Sequence, residues 1–162
     1  MMLLREKRLV VICDIDNTVL DITHRFHLLD GENTNWEEFL SVDNVRKDKP
    51  MWNTIDVISC LATRYPIIFL TGRNEGTRGI TEEQIASMWR CQPLLNGYEL
   101  YMREDGDYRK DTEIKKEMYE KYIEPNYDVL AAFDDKPDIV ELWRDLGLTA
   151  YHVGILASGD GF

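Results

Sequence analysis

Cysteine is scarce in this chain of 162 residues: Cys13, Cys60 and Cys91 are odd in number and widely spaced. With no Cys-x-x-Cys pair there is no zinc or dithiol signature, and reduced thiols in a cytoplasmic setting are expected. Long apolar runs are missing too. The start, MMLLREKRLVVICDID, is interrupted by Arg5, Glu6, Lys7 and Arg8, and nothing approaches the ~18 apolar residues of a membrane span. Neither export nor membrane anchoring is expected. Basic residues are outnumbered, 19 Lys and Arg against 30 Asp and Glu, for a formal net charge of -11. A protein that coats long nucleic acid needs excess cations to displace counterions, so a histone-like or processive DNA-binding role is not expected. A local basic pocket for a single phosphate is not.

What is present suits one globular domain, and repeats, low-complexity tracts and linker-like segments are absent, so residues 1–162 read as a single unit. LVVIC, from Leu9 to Cys13, is an apolar, β-branched run fit for a strand buried on both faces, with Asp14 at its carboxyl end. The polar stretch of residues 21–49 reads as an insertion over the sheet edge, with one or two helical turns at Trp36–Leu40. Met51, Ile55, Ile58 and Leu61/Ala62 recur at helical spacing ahead of a second strand, Ile67–Leu70. Thr81 and Gln84 have the spacing of a capping box that opens a helix through about Arg90. YELYM is a shorter strand. Asp111 is placed to cap a helix carrying Ile114, Met118 and Tyr122. VLAAF, Val129–Phe133, is another buried strand, ending at Asp134 and Asp135. Pro137 suits the first position of a helix closed by Gly147, and Thr149–Val153 can be a last strand.

This alternation predicts an open α/β sheet with helices on both faces, whose ligand site lies beyond the carboxyl ends of the strands. Three strands end in reactive residues: Asp14-Ile-Asp16, Thr71-Gly72-Arg73 and Asp134-Asp135. Four acids facing one crevice repel one another unless a cation lies between them, and hard oxygen ligands select Mg²⁺. A carboxylate can attack phosphorus, and a second carboxyl two residues on can reach the leaving oxygen, which makes DIDNT, Asp14 to Thr18, a chemical unit. Thr71 and Arg73 add a hydroxyl and a guanidinium. Lys110 and Lys115 point about 140° apart on a helix, so at most one faces the aspartates.

DIDNT, FLTGR, a downstream lysine and FDD stand in the order and approximate spacing of the four motifs of haloacid dehalogenase (HAD) superfamily phosphatases, which the chain resembles. TGRNEGT, GDYRKDTEIKKE, FDDKPDIVELWRDLG and the terminal ASGDGF are similar to the 3′-phosphatase domain of phage T4-type polynucleotide kinase-phosphatases, and the likeness runs from about Leu9 to Phe162. It implies a HAD-like, Rossmannoid, mostly parallel sheet with a small cap insertion. It implies Asp14 as nucleophile, Asp16 as general acid and later base, and Thr71 and Lys115 holding the transferring phosphoryl group. Mg²⁺ would sit on the Asp14 carboxylate, the Asp16 backbone carbonyl and one acid of Asp134 and Asp135, Asp135 preferred. Arg25, Arg73, Arg103, Arg109 and Asp111 fall where the family contacts substrate or organises the site, and Thr18 and Gly72 inside the matched motifs join them. Asn17 stands where glycine is common, Thr71 where close relatives carry serine, and Lys136 where they carry arginine.

The activity so implied is removal of a 3′-phosphate from a polynucleotide end or nucleotide through an aspartyl-phosphate. The alternative is a small-molecule HAD phosphatase such as a 5′-nucleotidase. A phage-like source, a role in nucleic-acid repair and a separate kinase or ligase partner fit the resemblance. No GxxxxGK[ST] loop for a kinase is present; GILASG, at 154–159, has the glycines but Asp160 in place of the lysine. His24 and His27 lack a third ligand for zinc and read as surface or cap residues.

Overall fold

The computed structural model describes residues 7–29, 34–90 and 93–154. The terminal ASGDGF motif and all of GILASG beyond Gly154 lie outside the described residues.

Strand β1 (Arg8–Cys13) is the middle of the sheet. The chain leaves it through β2 (Leu20–Asp21), a 3₁₀ turn (Thr23–Leu28) and the short helices α1 (Trp36–Phe39) and α2 (Val42–Val45), returning at β3 (Lys49–Pro50). Asp21 pairs antiparallel with Lys49 and Leu20 with Pro50, so one small ladder ties both ends of this excursion together. Helix α3 (Trp52–Ala62) follows, then β4 (Ile67–Asn74), α4 (Arg78–Met88), β5 (Tyr98–Arg103), α5 (Asp111–Met118), β6 (Tyr127–Asp134), α6 (Pro137–Asp145) and β7 (Ala150–His152).

Among the described residues the main sheet has five strands in the order β5-β4-β1-β6-β7, all parallel. Alternation along each strand divides its side chains between two cores. Val11, Ile67 and Phe69 meet Ile55, Ile58, Ile85 and Met88 from α3 and α4. Val10, Ile12, Ile68 and Leu70 meet Ile114, Met118, Ile139 and Trp143 from α5 and α6. Burial on both faces is why the strands read as continuous apolar runs. Cys13 is level with Phe69 on one side and Phe133 on the other, and the Asp14 N–H donates to the Phe133 carbonyl at 2.9 Å. That register puts the acids after β1 and at the end of β6 at one height. Among the described residues no helix is long and apolar enough to cross a membrane.

Several local expectations are corrected. Strand β4 does not stop at Leu70 but continues to Asn74 past a register irregularity, so Thr71, Gly72 and Arg73 lie within it. Helix α4 starts at Arg78, because a 3₁₀ turn at Glu75–Thr77 leads straight into it, and Thr81 and Gln84 are not its cap. Lys110, not Asp111, is the N-cap of α5. After Met118 that helix widens into a π turn (Tyr119–Ile123), which breaks the simple i, i+4, i+8 spacing and leaves Tyr122 half-buried. Pro137 opens α6, and Gly147 beyond it has φ 81°, the left-handed conformation that favours glycine after a helix.

Candidate active site

Oxygen atoms of Asp14, Asp134 and Asp135 lie within 4.8 Å of one another at the carboxyl ends of β1 and β6. Lys115, fully buried on α5, reaches into the cluster. Its Nζ donates to Asp14 Oδ1 at 2.7 Å and Asp134 Oδ2 at 2.6 Å, while Lys110 is exposed. Thr18 donates to Asp14 Oδ2 at 3.2 Å, so hydrogen bonds fix both oxygens of Asp14. The turn that carries them requires φ 55° at Asn17, a left-handed value that glycine or asparagine adopts readily. Asn17 therefore replaces glycine there without loss of the turn, and its Oδ1 accepts from the Ile22 N–H at 3.2 Å.

The acids are unequal. Burial drives the Asp14 carboxyl well above the ordinary range; Lys115 opposes this, while Asp134, Asp135 and Asp16 add to it. Burial, reinforced by Asp134, raises Asp135 to about 6. Burial lowers Lys115, but Asp134 and Asp14 outweigh it and hold the ammonium charged. One lysine does not balance this set. A cluster of hard oxygens whose carboxyls are raised by burial and by one another fits a divalent cation such as Mg²⁺.

Asp16 faces a different group. Its Oδ1 accepts from Arg73 Nε at 2.8 Å and from Arg25 NH2 at 3.2 Å. Burial pushes its carboxyl up, but the two guanidiniums prevail and keep it below the usual carboxylate range. Both arginines continue to Asp48, a buried acid delivered by the insertion: Arg25 NH2 at 2.9 Å and Arg73 NH2 at 2.6 Å from Oδ2, with Arg25 Nε and His24 Nε2 on Oδ1 at 3.0 and 2.8 Å. His24 thus belongs to Asp48 rather than to a zinc site. Arg73 NH1 is fixed further by Thr81 Oγ1 at 3.1 Å and Gln84 Oε1 at 2.8 Å. Arg25 NH1 donates to the Phe39 carbonyl at 3.0 Å and its guanidinium lies 4.3 Å from the centre of the Phe39 ring, a cation–π contact.

A third group borders the cluster. Asp111 pairs with Arg103 and with Lys136, and Arg103 Nε also donates to the Gly72 carbonyl at 2.9 Å. A Cβ at Gly72 would come 3.0 Å from Asp111 Oδ1, so only glycine leaves this group undisturbed. Thr71 is buried and its Oγ1 accepts from the Arg73 N–H. The Arg109 guanidinium engages Asp107 and Glu117. The sequence reading missed Asp48 and the contacts of Thr81 and Gln84 with Arg73. Its expectation for Lys136 contained no ion pair with Asp111.

An all-parallel sheet with these motifs at its carboxyl ends is the arrangement of the HAD superfamily. Residues 8–157 match the family described as polynucleotide kinase PNKP phosphatase domain, and the chain belongs to it. It is 31% identical over 148 residues to a protein of Autographa californica nuclear polyhedrosis virus described as a bifunctional polynucleotide kinase/RNA ligase, covering 88% of this chain and 19% of that one. A chain of the solved Pnkp1/Rnl/Hen1 complex superposes with a TM-score of 0.71 at 29% identity, over 92% of this chain and 47% of that one. The chain thus spans under half the length of either relative. The class C acid phosphatase of Bacillus anthracis shares the fold, with a TM-score of 0.60 at 15% identity, over 91% of this chain and 67% of that one.

Proposed function

We propose that this domain is a Mg²⁺-assisted phosphomonoesterase that removes the 3′-phosphate from a polynucleotide end or nucleotide through an aspartyl-phosphate. The observation that carries this reading is the division of labour between two neighbouring acids: Asp14 sits in the cation-seeking cluster with Lys115, and Asp16 is held by Arg25 and Arg73.

An Asp14 oxygen attacks phosphorus as the bond from phosphorus to the sugar oxygen breaks. Asp16, which the two arginines keep ionised in the free site, takes up a proton as the anionic phosphate enters beside it, then gives that proton to the sugar oxygen and releases a 3′-hydroxyl. Both arginines address Asp16 Oδ1, which leaves Oδ2 for the proton. In the second step the Asp16 carboxylate takes a proton from water as the water oxygen attacks the phosphoryl group, releasing phosphate and regenerating Asp14. Lys115 and Thr71 hold the phosphoryl oxygens, with Lys115 exchanging its contact to Asp14 for one to the phosphate. Asp14, the Asp16 carbonyl and Asp135 would hold Mg²⁺, which supplies charge neutralisation for the phosphoryl oxygens.

The acidic surface is compatible with this substrate, because only a strand end enters the pocket and local arginines can orient it. One relative described as a polynucleotide kinase/RNA ligase and a neighbour solved in the Pnkp1/Rnl/Hen1 RNA repair complex support a repair setting, in which a separate ligase consumes the 3′-hydroxyl. A cytoplasmic location, that of a host if the source is viral, goes with this reading. The test is phosphate release from matched DNA and RNA oligonucleotides that differ only in which end is phosphorylated. Release from the 3′ end is expected; preference for the 5′ end would favour a 5′-nucleotidase-like enzyme instead.

A further inference from the structure

Arg73 orients Asp16, and three side chains from two parts of the chain orient Arg73: Asp48 from the insertion, and Thr81 and Gln84 from α4. Gln84 does something the others do not. Its Oε1 accepts from Arg73 NH1 at 2.8 Å, while its Nε2 donates to the carbonyl of Val45, the last residue of α2, at 2.7 Å. The amide orientation is forced, because a guanidinium only donates and a carbonyl only accepts. Gln84 therefore joins the insertion to Arg73 through a single side chain on a helix of the main domain.

We propose that Gln84 is a positioning residue that registers the insertion against Arg73, so that Asp16 is aligned for proton transfer when α2 is seated on α4. The proposal rests on the reading of Asp16 as acid and base. A neutral amide is the group suited to this task. A carboxylate at this position would face the Val45 carbonyl with no proton to donate, and an apolar side chain would leave both Arg73 NH1 and the carbonyl short of a partner. The same residues that look like a capping box in the sequence are thus turned inward, away from the helix start.

The test compares Gln84→Leu and Gln84→Glu with the unaltered protein on two monoesters in the presence of Mg²⁺. One is p-nitrophenyl phosphate, whose phenolate departs without a proton. The other is the best alkyl phosphate substrate found for the unaltered protein, whose alkoxide does not. Loss of alignment at Asp16 lowers kcat/KM for the alkyl ester about tenfold in both variants and for the aryl ester less than about twofold. Equal losses on both esters would mean a general structural role and overturn the proposal, as would no loss on either. Full activity in Gln84→Glu on both esters would overturn the link to Val45, since that variant still accepts from Arg73. Should the unaltered protein prefer a 5′-phosphate, the substrate reading fails while this comparison still decides the role of Gln84. Hydrolysis of no monoester at all would overturn both.

Discussion

Lys115 lies 2.7 Å from Asp14 across 101 residues of sequence, joining the centre of the sheet to the helix packed over it. It also holds Asp134 at 2.6 Å, so one ammonium is shared by two buried carboxylates that would otherwise face each other. Yet both Asp14 and Asp135 remain shifted upward, chiefly by burial and further by the neighbouring acids, so their ionised forms are costly without a cation beside them.

Mg²⁺ should therefore compete with protons for this site. Asp135 titrates near 6, above the ordinary carboxylate value of about 4, so the penalty for ionising it develops as pH rises through that interval and is fully present above it. A divalent cation relieves that penalty. Thermal melting should show stabilisation by Mg²⁺ that is large at about pH 8 and fades toward about pH 5, because protonated ligands bind metal poorly. Equal stabilisation at both pH values would speak against these ligands.

Asp48 is fully buried and carries two buried arginines. Asp48→Ala should destabilise the fold by about 3–5 kcal/mol, the usual cost of leaving a buried charge without its partner. Urea unfolding measures this, and a change below about 1 kcal/mol would mean that water or Asp16 can replace the carboxylate.

At Gly72 the constraint is space rather than backbone conformation. Gly72→Ala should lower the melting temperature only modestly, by about 1–3 kcal/mol in stability, since Asp111 must retreat by a few tenths of an ångström. Phosphatase activity should fall about tenfold, because Asp111 holds Arg103 and Lys136 beside the cluster. Unchanged turnover would separate that ion-pair group from the reaction.

Much of this arrangement is legible in the sequence, because β-branched strands buried on both faces leave an unbroken apolar signature and their terminal aspartates stand out against it. Asp14, Asp134 and Asp135 come together as that pattern implies, and of the two lysines it is Lys115 that turns inward. Asp48 gives no such signal. It lies in RKDKP, which looks like solvated charge, and is buried only because Arg25 and Arg73 approach from 23 and 25 residues away. Thr81 and Gln84 mislead for a related reason: local spacing matches a helix cap, but the Arg73 guanidinium at the end of the preceding strand captures both side chains. Asp111 likewise has the chemistry of a cap and is drawn instead to Arg103 and Lys136. Local signals are overridden where buried charge must be paired.

Attack of Asp14 on phosphorus is tested by turnover of a 3′-phosphorylated oligonucleotide with Mg²⁺ by Asp14→Asn, with melting confirming an intact fold. The expected result is a loss of about 10³-fold or more, since an amide offers no anionic oxygen to form the acyl phosphate. Turnover within about tenfold of the unaltered protein would contradict the account.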